Sequence, residues 1–409
     1  MERYVQIKDS GVDWIREIPN TWCVRALFQL VEQVKNKNKN LIERNLLSLS
    51  YGKIKRKDIN NPEGLLPESF DGYNIIEAND IVLRLTDLQN DHTSLRVGQA
   101  KERGIITSAY TTLRPTNIVN PQFLYYVLHA YDLIKGFYGM GSGVRQGLNF
   151  GEVKAIRVPF PPVPEQSAIV AYLDDQISQI DSIIAEAKTS IEEYKQWKAS
   201  IIFEAVTKGL DANVEMRNSG IDIIGRIPKH WSLRRLKFLC DISTGNQDTQ
   251  DAESDGIYPF YVRSPIVERS NRYTYDGEGI LMAGDGAGAG KVFHHAFGKY
   301  AIHQRVYCFH NIHGIHPKFL YHYLSNLFSV EIDKGSAKST VPSVRLPMIQ
   351  NFRICIPSKT EQTIIVSYID DQISKIDEII EIKSNLITDL EQYKHSLIYE
   401  VVTGKRKVV

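Results

Sequence analysis

The chain has 409 residues, 43% apolar and 24% charged, with 49 Lys+Arg against 48 Asp+Glu. That length accommodates two to four domains, each able to bury a core, and there is no low-complexity tract. No apolar run nears the ~20 residues that span a bilayer, the first residues lack the apolar stretch of a secretory leader, and the scattered Cys23, Cys240, Cys308 and Cys355 form no CxxC pair, so a reduced, cytoplasmic setting is expected.

Taken in chain order, the sequence contains itself twice. Residues 10–30, SGVDWIREIPNTWCVRALFQL, return at 219–239 as SGIDIIGRIPKHWSLRRLKFL. Residues 165–184, EQSAIVAYLDDQISQIDSII, return at 361–380 as EQTIIVSYIDDQISKIDEII. A period of about 200 residues is too long for a solenoid or propeller array and implies duplicated domains. Between the shared ends lie unlike middles, read as mixed α/β. Strand-like runs fall at 75–85, 104–113, 279–284 and 300–309. FLYYVL (123–128) and FLYHYL (319–324) predict a short helix in each middle. A Gly-Ser loop follows it, at 139–147 and 334–343, ahead of a strand leading to Pro161 or Pro357.

The shared tails read as long helices. Pro164 suits a first turn, Thr360 is a plausible N-cap before Glu361, and Gly209 and Gly404 lie where helices stop. Ile169, Tyr172, Leu173, Ile177, Ile180, Ile184, Ile191, Ile202 and Ala205, with Ile365, Tyr368, Ile369, Ile373, Ile376, Ile380, Ile387, Leu390, Leu397 and Val401, recur at helical spacing between charged residues. A helix over 165–208 is ~66 Å long. Its stripe must be buried, either against the second helix, antiparallel, or on its own globular domain; the length of the seam favours the pair.

Charge partitions along the same lines. Residues 20–160 hold 18 Lys+Arg against 13 Asp+Glu, and 229–357 hold 15 against 11. Residues 161–209 hold 4 against 8, and 358–409 hold 7 against 9. Basic middles on acidic helices suit two polyanion-binding domains on a frame that does not touch the polyanion. The expected parts are 1–160, 161–209, 210–357 and 358–409.

Two variable domains, each headed by SGxDxIxxIPxxW and closed by PxxxEQxxIVxYxDDQIxxID, resemble the specificity subunit of type I restriction–modification systems. The residues that carry this are Ser10, Gly11, Asp13, Ile18, Pro19 and Trp22 with Ser219, Gly220, Asp222, Ile227, Pro228 and Trp231. Glu165, Gln166, Asp174, Asp175, Gln176 and Asp181 pair likewise with Glu361, Gln362, Asp370, Asp371, Gln372 and Asp377. The resemblance covers essentially the whole chain. It implies two α/β target recognition domains, one per half of a split double-stranded DNA target, separated by two long helices as an antiparallel coiled coil. It also implies modification and restriction subunits as partners. S-adenosylmethionine, ATP and Mg would then be bound by those partners, with no cofactor, metal or catalytic residue in this chain.

Other motifs are weaker. GDGAGAGK (284–291) has Asp285 where a nucleotide-binding loop needs glycine and Val292 where it needs Ser or Thr. No [DN]PP[YFW] tetrapeptide of an adenine methyltransferase occurs, and PFPPVP (159–164) has Phe at the required acidic or amide position. Seven of eleven histidines fall in 294–322, with no cysteine pair or carboxylate to complete a metal set. The doubled carboxylates Asp174/Asp175 and Asp370/Asp371 suit a polar helix face or a partner contact.

KNKNKN (35–40) and KIKRK (53–57), the latter with Lys53 and Lys55, are solvated surface or DNA-backbone contacts. Candidate DNA-binding residues in the first middle are Arg84, Ser108, Tyr110, Arg145 and Gln146. In the second they are Arg263, Lys291, His303, Gln304, Arg305, Lys338, Ser339 and Arg345. Arg and Gln make the informative bidentate contacts to guanine and adenine. The function expected is non-catalytic DNA recognition. The alternatives are a methyltransferase or nuclease in its own right, or a scaffold that binds no DNA.

Overall fold

A computed structural model of the chain describes residues 3–60, 69–88, 91, 93–140, 147–335 and 343–408. The chain forms two compact units, Met1–Ala187 with Asn385–Val409, and Lys188–Ser384.

Unit 1 contains β1 (Ile7–Asp9), β2 (Glu17–Pro19), β3 (Cys23–Ala26), β4 (Val31–Gln33), β5 (Leu46–Ser50), β6 (Lys53–Lys57), β7 (Asn74–Ile76), β8 (Ile81–Leu83), β9 (Val97–Gln99), β10 (Gly104–Ile106), β11 (Thr111–Pro115), α1 (Pro121–Leu133), α2 (Phe150–Val153) and β12 (Arg157–Phe160). From it α3 (Val163–Lys208) runs on into unit 2. Unit 2 contains β13 (Met216–Asn218), β14 (Arg226–Pro228), β15 (Ser232–Arg235), β16 (Asp241–Thr244), β17 (Tyr258–Tyr261), β18 (Glu268–Ser270), β19 (Tyr275–Asp276), β20 (Gly279–Ala283), β21 (Phe293–Ala296), β22 (Lys299–Ile302), β23 (Val306–His310), α4 (Pro317–Gly335), α5 (Leu346–Asn351) and β24 (Arg353–Ile356). It ends in α6 (Lys359–Val402), whose last turns belong to unit 1.

The sheets repeat strand for strand. Unit 1 has the orders β6-β5-β10-β7 and β4-β11-β8-β9, with small pairs β1-β2 and β3-β12. Unit 2 has β18-β17-β22-β19 and β16-β23-β20-β21, with β13-β14 and β15-β24. Each strand number is advanced by twelve, so the middles keep one topology after their sequences have diverged. In both, the only parallel pairs among the described strands are β5 with β10 and β17 with β22.

The long apolar runs are not single strands. Residues 75–85 divide into β7 and β8, which lie in different sheets. The break is a turn in which Asn79 is left-handed (φ 74°) and Asp80 Oδ2 accepts from Glu77 N at 2.8 Å. Residues 104–113 divide at Thr107–Tyr110, and 300–309 at His303–Arg305. Each turn moves the chain from one four-stranded sheet to the other.

The repeated motifs are the frame's fasteners. Gln166 and Gln362 are buried (0% and 1% exposed) and use both ends of the amide. Gln166 accepts from Asn120 N at 2.8 Å and donates to Pro161 O at 2.9 Å. Gln362 accepts from His316 N at 2.6 Å and donates to Pro357 O at 2.9 Å. Asp174 accepts from Tyr126 Oη at 2.5 Å, and Asp370 pairs with Lys318 Nζ at 2.7 Å. The first carboxylate of each doublet therefore ties the short helix to the long one, while Asp175 and Asp371 stay on the exposed face. The N-cap of α6 is Ser358, whose Oγ accepts from Glu361 N at 3.3 Å; the helix has already begun at Thr360.

Within each unit the two long helices pair antiparallel. In unit 1, Lys394 meets Asp181 at 2.6 Å; in unit 2, Lys198 meets Asp377 at 2.7 Å. These are the same two repeat positions with the helices exchanged. The stripe also enters the domain cores. Ile169, Leu173, Ile180 and Ile184 join Leu397, Ile398 and Val401 in the main core of unit 1. Ile202, Val206, Ile365 and Ile369 join that of unit 2. Both destinations expected for the stripe are used.

Each helix end seats a glycine against a motif tryptophan. Gly404 (φ 73°) lies against Trp22 and Pro19, and an added Cβ would come 2.4 Å from the proline ring. Gly209 (φ 76°) lies against Trp231, where a Cβ would come 3.2 Å away. Only glycine meets the left-handed backbone and the close approach together.

Candidate nucleic-acid interface

The turns that exchange sheets carry much of the candidate surface. In unit 2, β17 is followed by Arg263, β20 by the loop from Gly284 to Gly290, and β22 by the His303–Arg305 turn. Three different strands thus bring their ends together. Arg263 Nη1 and Arg305 Nη1 each lie 3.0 Å from a different carboxylate oxygen of Asp285. The glycine loop is held by Gly284 N donating to Arg305 O at 2.9 Å and Val344 N donating to Gly284 O at 2.8 Å. A Cβ at Gly288 would stand 2.6 Å from Arg263 O, so that glycine permits the approach. The loop leads into a strand, β21, whereas a nucleotide-binding loop opens a helix; its glycines serve packing.

His303 is only 2% exposed. Its Nδ1 accepts from Arg305 N at 2.9 Å, its ring stacks on Phe260, and burial lowers its pKa. It props the turn that presents Gln304 and Arg305, both exposed. Gln304 also donates to Asp248. A cleft of about 390 Å³ lies beside the arginines, lined by Thr249, Arg263, Ser264, Glu268 and Asp285. The Oε2 of Glu268 is buried and accepts no hydrogen bond among the described residues.

In unit 1 the corresponding strand end is followed by Arg84, whose Nη2 lies 3.8 Å from Asp91. Asp91 is shared with Arg96 at 3.6 Å. The Arg96 side chain is fully buried and donates to the carbonyls of Thr86, Asp87 and Asp91 and to Tyr138 Oη. Hydrogen bonds from Ser94, together with Arg96, hold the Asp91 carboxyl well below the usual carboxylate range. Asp132, which accepts from Arg96 N at 2.5 Å, is pushed up by burial to about 6.

Lys53 and Lys55 are exposed on β6, an edge strand. Lys35, Lys37 and Lys39 are exposed as well, while Asn38 between them is buried and bonds the backbone of Glu43. Ser108 is exposed; Tyr110 packs against the small core of Leu47, Leu49 and Ile106. Lys291 is exposed at the end of the glycine loop, and Arg345 is exposed at the start of α5. Arg145, Gln146, Lys338 and Ser339 lie outside the described residues. Asp91, Arg96, Glu268 and Asp285 were not among the candidate DNA-binding residues. Asp285 alone left a trace, the acidic residue in an otherwise small-residue loop.

The clustered histidines have other partners. His294 Nε2 lies 3.1 Å from Ser264 O, His295 Nε2 lies 2.9 Å from Glu278, and His322 faces Asp370 at 3.5 Å. Among the described residues no three or more His, Cys, Asp or Glu side chains gather to hold a metal, and no helix is long and apolar enough to cross a membrane.

Residues 19–193 and 228–392 each match the family model described as type I restriction modification DNA specificity domain. The type I restriction enzyme EcoDI specificity subunit of Escherichia coli is 27% identical over 181 residues, 44% of this chain and 40% of that protein. The type I restriction enzyme MjaVIII specificity subunit of Methanocaldococcus jannaschii is 25% identical over 371 residues, 82% of this chain and 80% of that protein. A solved chain from a study of complex assembly and conformational transition in a type I R-M system superposes with a TM-score of 0.69 at 15% identity, over 94% of this chain and 98% of that one. The doubled frame, the matched sheet orders and the two domain matches agree: the chain belongs to the type I restriction–modification DNA specificity family and carries its domain twice, in the role of a recognition subunit rather than an enzyme.

Proposed function

We propose that each unit reads one half of a split double-stranded DNA target, and that the chain assembles with modification and restriction subunits that carry the chemistry. The observation that carries this is one strand topology, used twice, with different side chains at the same strand ends. Arg84 follows β8 where Gly284 follows its counterpart β20, and Ser108 lies in the turn after β10 where Gln304 and Arg305 lie in the turn after its counterpart β22. One fold with interchangeable tips can address two sequences, and the frame common to both units offers the same docking surface to two copies of a partner. S-adenosylmethionine, ATP and Mg belong to those partners in this reading.

The basic runs at Lys35–Lys39 and Lys53–Lys57 supply phosphate contacts, which fix orientation without reading sequence. Selection of the purified chain from a randomised duplex library, at two salt concentrations, tests the reading. A split motif with strongly salt-dependent binding is expected; enrichment of no motif would overturn it. Methyl transfer to DNA by the purified chain alone would overturn its non-catalytic role. A seven-residue insertion in α3 with the matching insertion in α6 is expected to change the number of unread base pairs and leave both half-sites as they are.

A further inference from the structure

We infer that Arg263 and Arg305 read guanine in the half-site addressed by unit 2, and that Asp285 is the residue that positions both. The inference rests on the reading of this chain as a two-half-site DNA binder and assigns the residues that give one half its sequence.

The two guanidinium groups come from different strand ends and converge on one carboxylate, each through a single Nη1 at 3.0 Å. Asp285 is the enclosed member: its side chain is 16% exposed, against 44% for Arg263 and 63% for Arg305. A pair whose purpose was stability would enclose its cations as well, as Arg96 is enclosed in unit 1. Here the anion is inside and the cations face out.

Two arginines side by side repel each other and, on long flexible stems, would drift to the nearest phosphates. A shared carboxylate cancels part of that repulsion and fixes one edge of each guanidinium. The remaining N–H groups keep the planar fork that matches guanine O6 and N7 in the major groove. The backbone that carries the carboxylate is held from behind. Gly284 N bonds Arg305 O, Gly288 brings the loop onto the Arg263 backbone, and the Asp285 backbone is bridged to Ser343. The adjoining cleft of about 390 Å³, with Ser264, Thr249 and the half-buried Glu268 along it, gives a base edge room to approach.

The test is selection of the full-length chain from a randomised duplex library, followed by affinity measurement on the enriched duplex and on single-base variants of it. For wild type a split motif is expected, with guanine at one or more positions of one half. Arg263→Ala and Arg305→Ala should each weaken binding to that duplex by about 10- to 100-fold and flatten the preference at a guanine position. Asp285→Asn should blur the same positions with a smaller loss. Arg305→Lys should keep the affinity and lose part of the discrimination, because ammonium is a point charge rather than a fork. The other half-site must stay enriched in every variant, which shows that the chain is folded and still binds DNA.

A loss that is uniform across sequences, with a salt slope reduced by about one, would assign the arginines to phosphates and overturn the inference. Unchanged binding in both alanine variants would overturn it as well. A wild-type chain that enriches no motif overturns the underlying reading, and this outcome is distinct from both.

Discussion

The two units place an arginine–aspartate–arginine cluster near the same strand end and use it in opposite ways. In unit 1 the second arginine, Arg96, has no exposed side-chain surface and is spent on three backbone carbonyls and Tyr138. In unit 2 the carboxylate of Asp285 is the enclosed group and both arginines face outward. The same charges are therefore a brace in one unit and a presented surface in the other. Burial of the cation, rather than the ion pair, separates the two roles. A cation out of water must spend its donors on the protein, whereas a cation at the surface keeps them for a ligand.

The sharpest way to break this comparison is to remove the buried cation. Arg96→Met leaves three carbonyls and Asp91 without their donor and is expected to cost about 3–5 kcal/mol in the stability of unit 1. Arg263→Met, at the exposed cluster, should cost less than about 1 kcal/mol. Denaturant unfolding followed by hydrogen exchange in each unit measures both, and similar costs would show that burial does not separate the clusters.

Acid should also distinguish the units. Burial lowers the pKa of His322 in unit 2 to about 4, with His294, His295 and His303 lowered as well. An unfolded chain takes up those protons near pH 6.5, so their contribution is present above that pH and is lost as pH falls toward 4. In unit 1, His129 is lowered to about 4 in the same way, and His395 is lowered. There Asp132, raised to about 6, acts in the opposite sense: its folded form holds a proton that the unfolded chain has released, so acidification from pH 6 to 4.5 favours the fold. Unit 2 is therefore expected to lose protection first between pH 6.5 and 4.5, by about 2 kcal/mol for His322 alone. Loss of unit 1 first would reverse the assignment.

The fasteners should behave alike in the two units. Gln166→Leu and Gln362→Leu each strand a buried N–H and a buried C=O, and each should cost about 1–3 kcal/mol, read as a fall in thermal midpoint. A large effect in one and none in the other would break the equivalence of the frames. Smallest are the helix ion pairs, whose side chains remain 23–53% exposed. Lys198→Glu and Lys394→Glu are expected to cost about 0.2–1 kcal/mol each, less at high salt, with recovery on adding Asp377→Lys or Asp181→Lys respectively. Recovery with the opposite partner would exclude the antiparallel register.

The frame was legible from the residues because its constraints are local and occur twice. Ile18 and Ile227, Trp22 and Trp231, and Gln166 and Gln362 are buried in equivalent settings, so sequence offsets alone aligned them. The breaks within the long apolar runs were passed over. In residues 75–85 the stretch Glu77–Asp80 carries an Asn–Asp turn signal, where Asn79 turns left-handed and sends β8 into another sheet, but the buried apolar residues on either side masked it. One turn also hid a distinction: His303 and Arg305 are both polar and nearly adjacent, yet one is inside and the other outside.

By itself the sequence determined the duplication, the two long amphipathic helices and the allocation of basic charge to the middles. Periodicity and repetition are properties of the chain, visible without its folding. Only the tertiary structure decided which charges meet. Asp285 and its two arginines are separated by about twenty residues on either side, and Arg96 and Asp91 lie in a loop with no motif. Whether an arginine braces or presents depends on how much water the folded chain leaves around it, which no spacing in the sequence records.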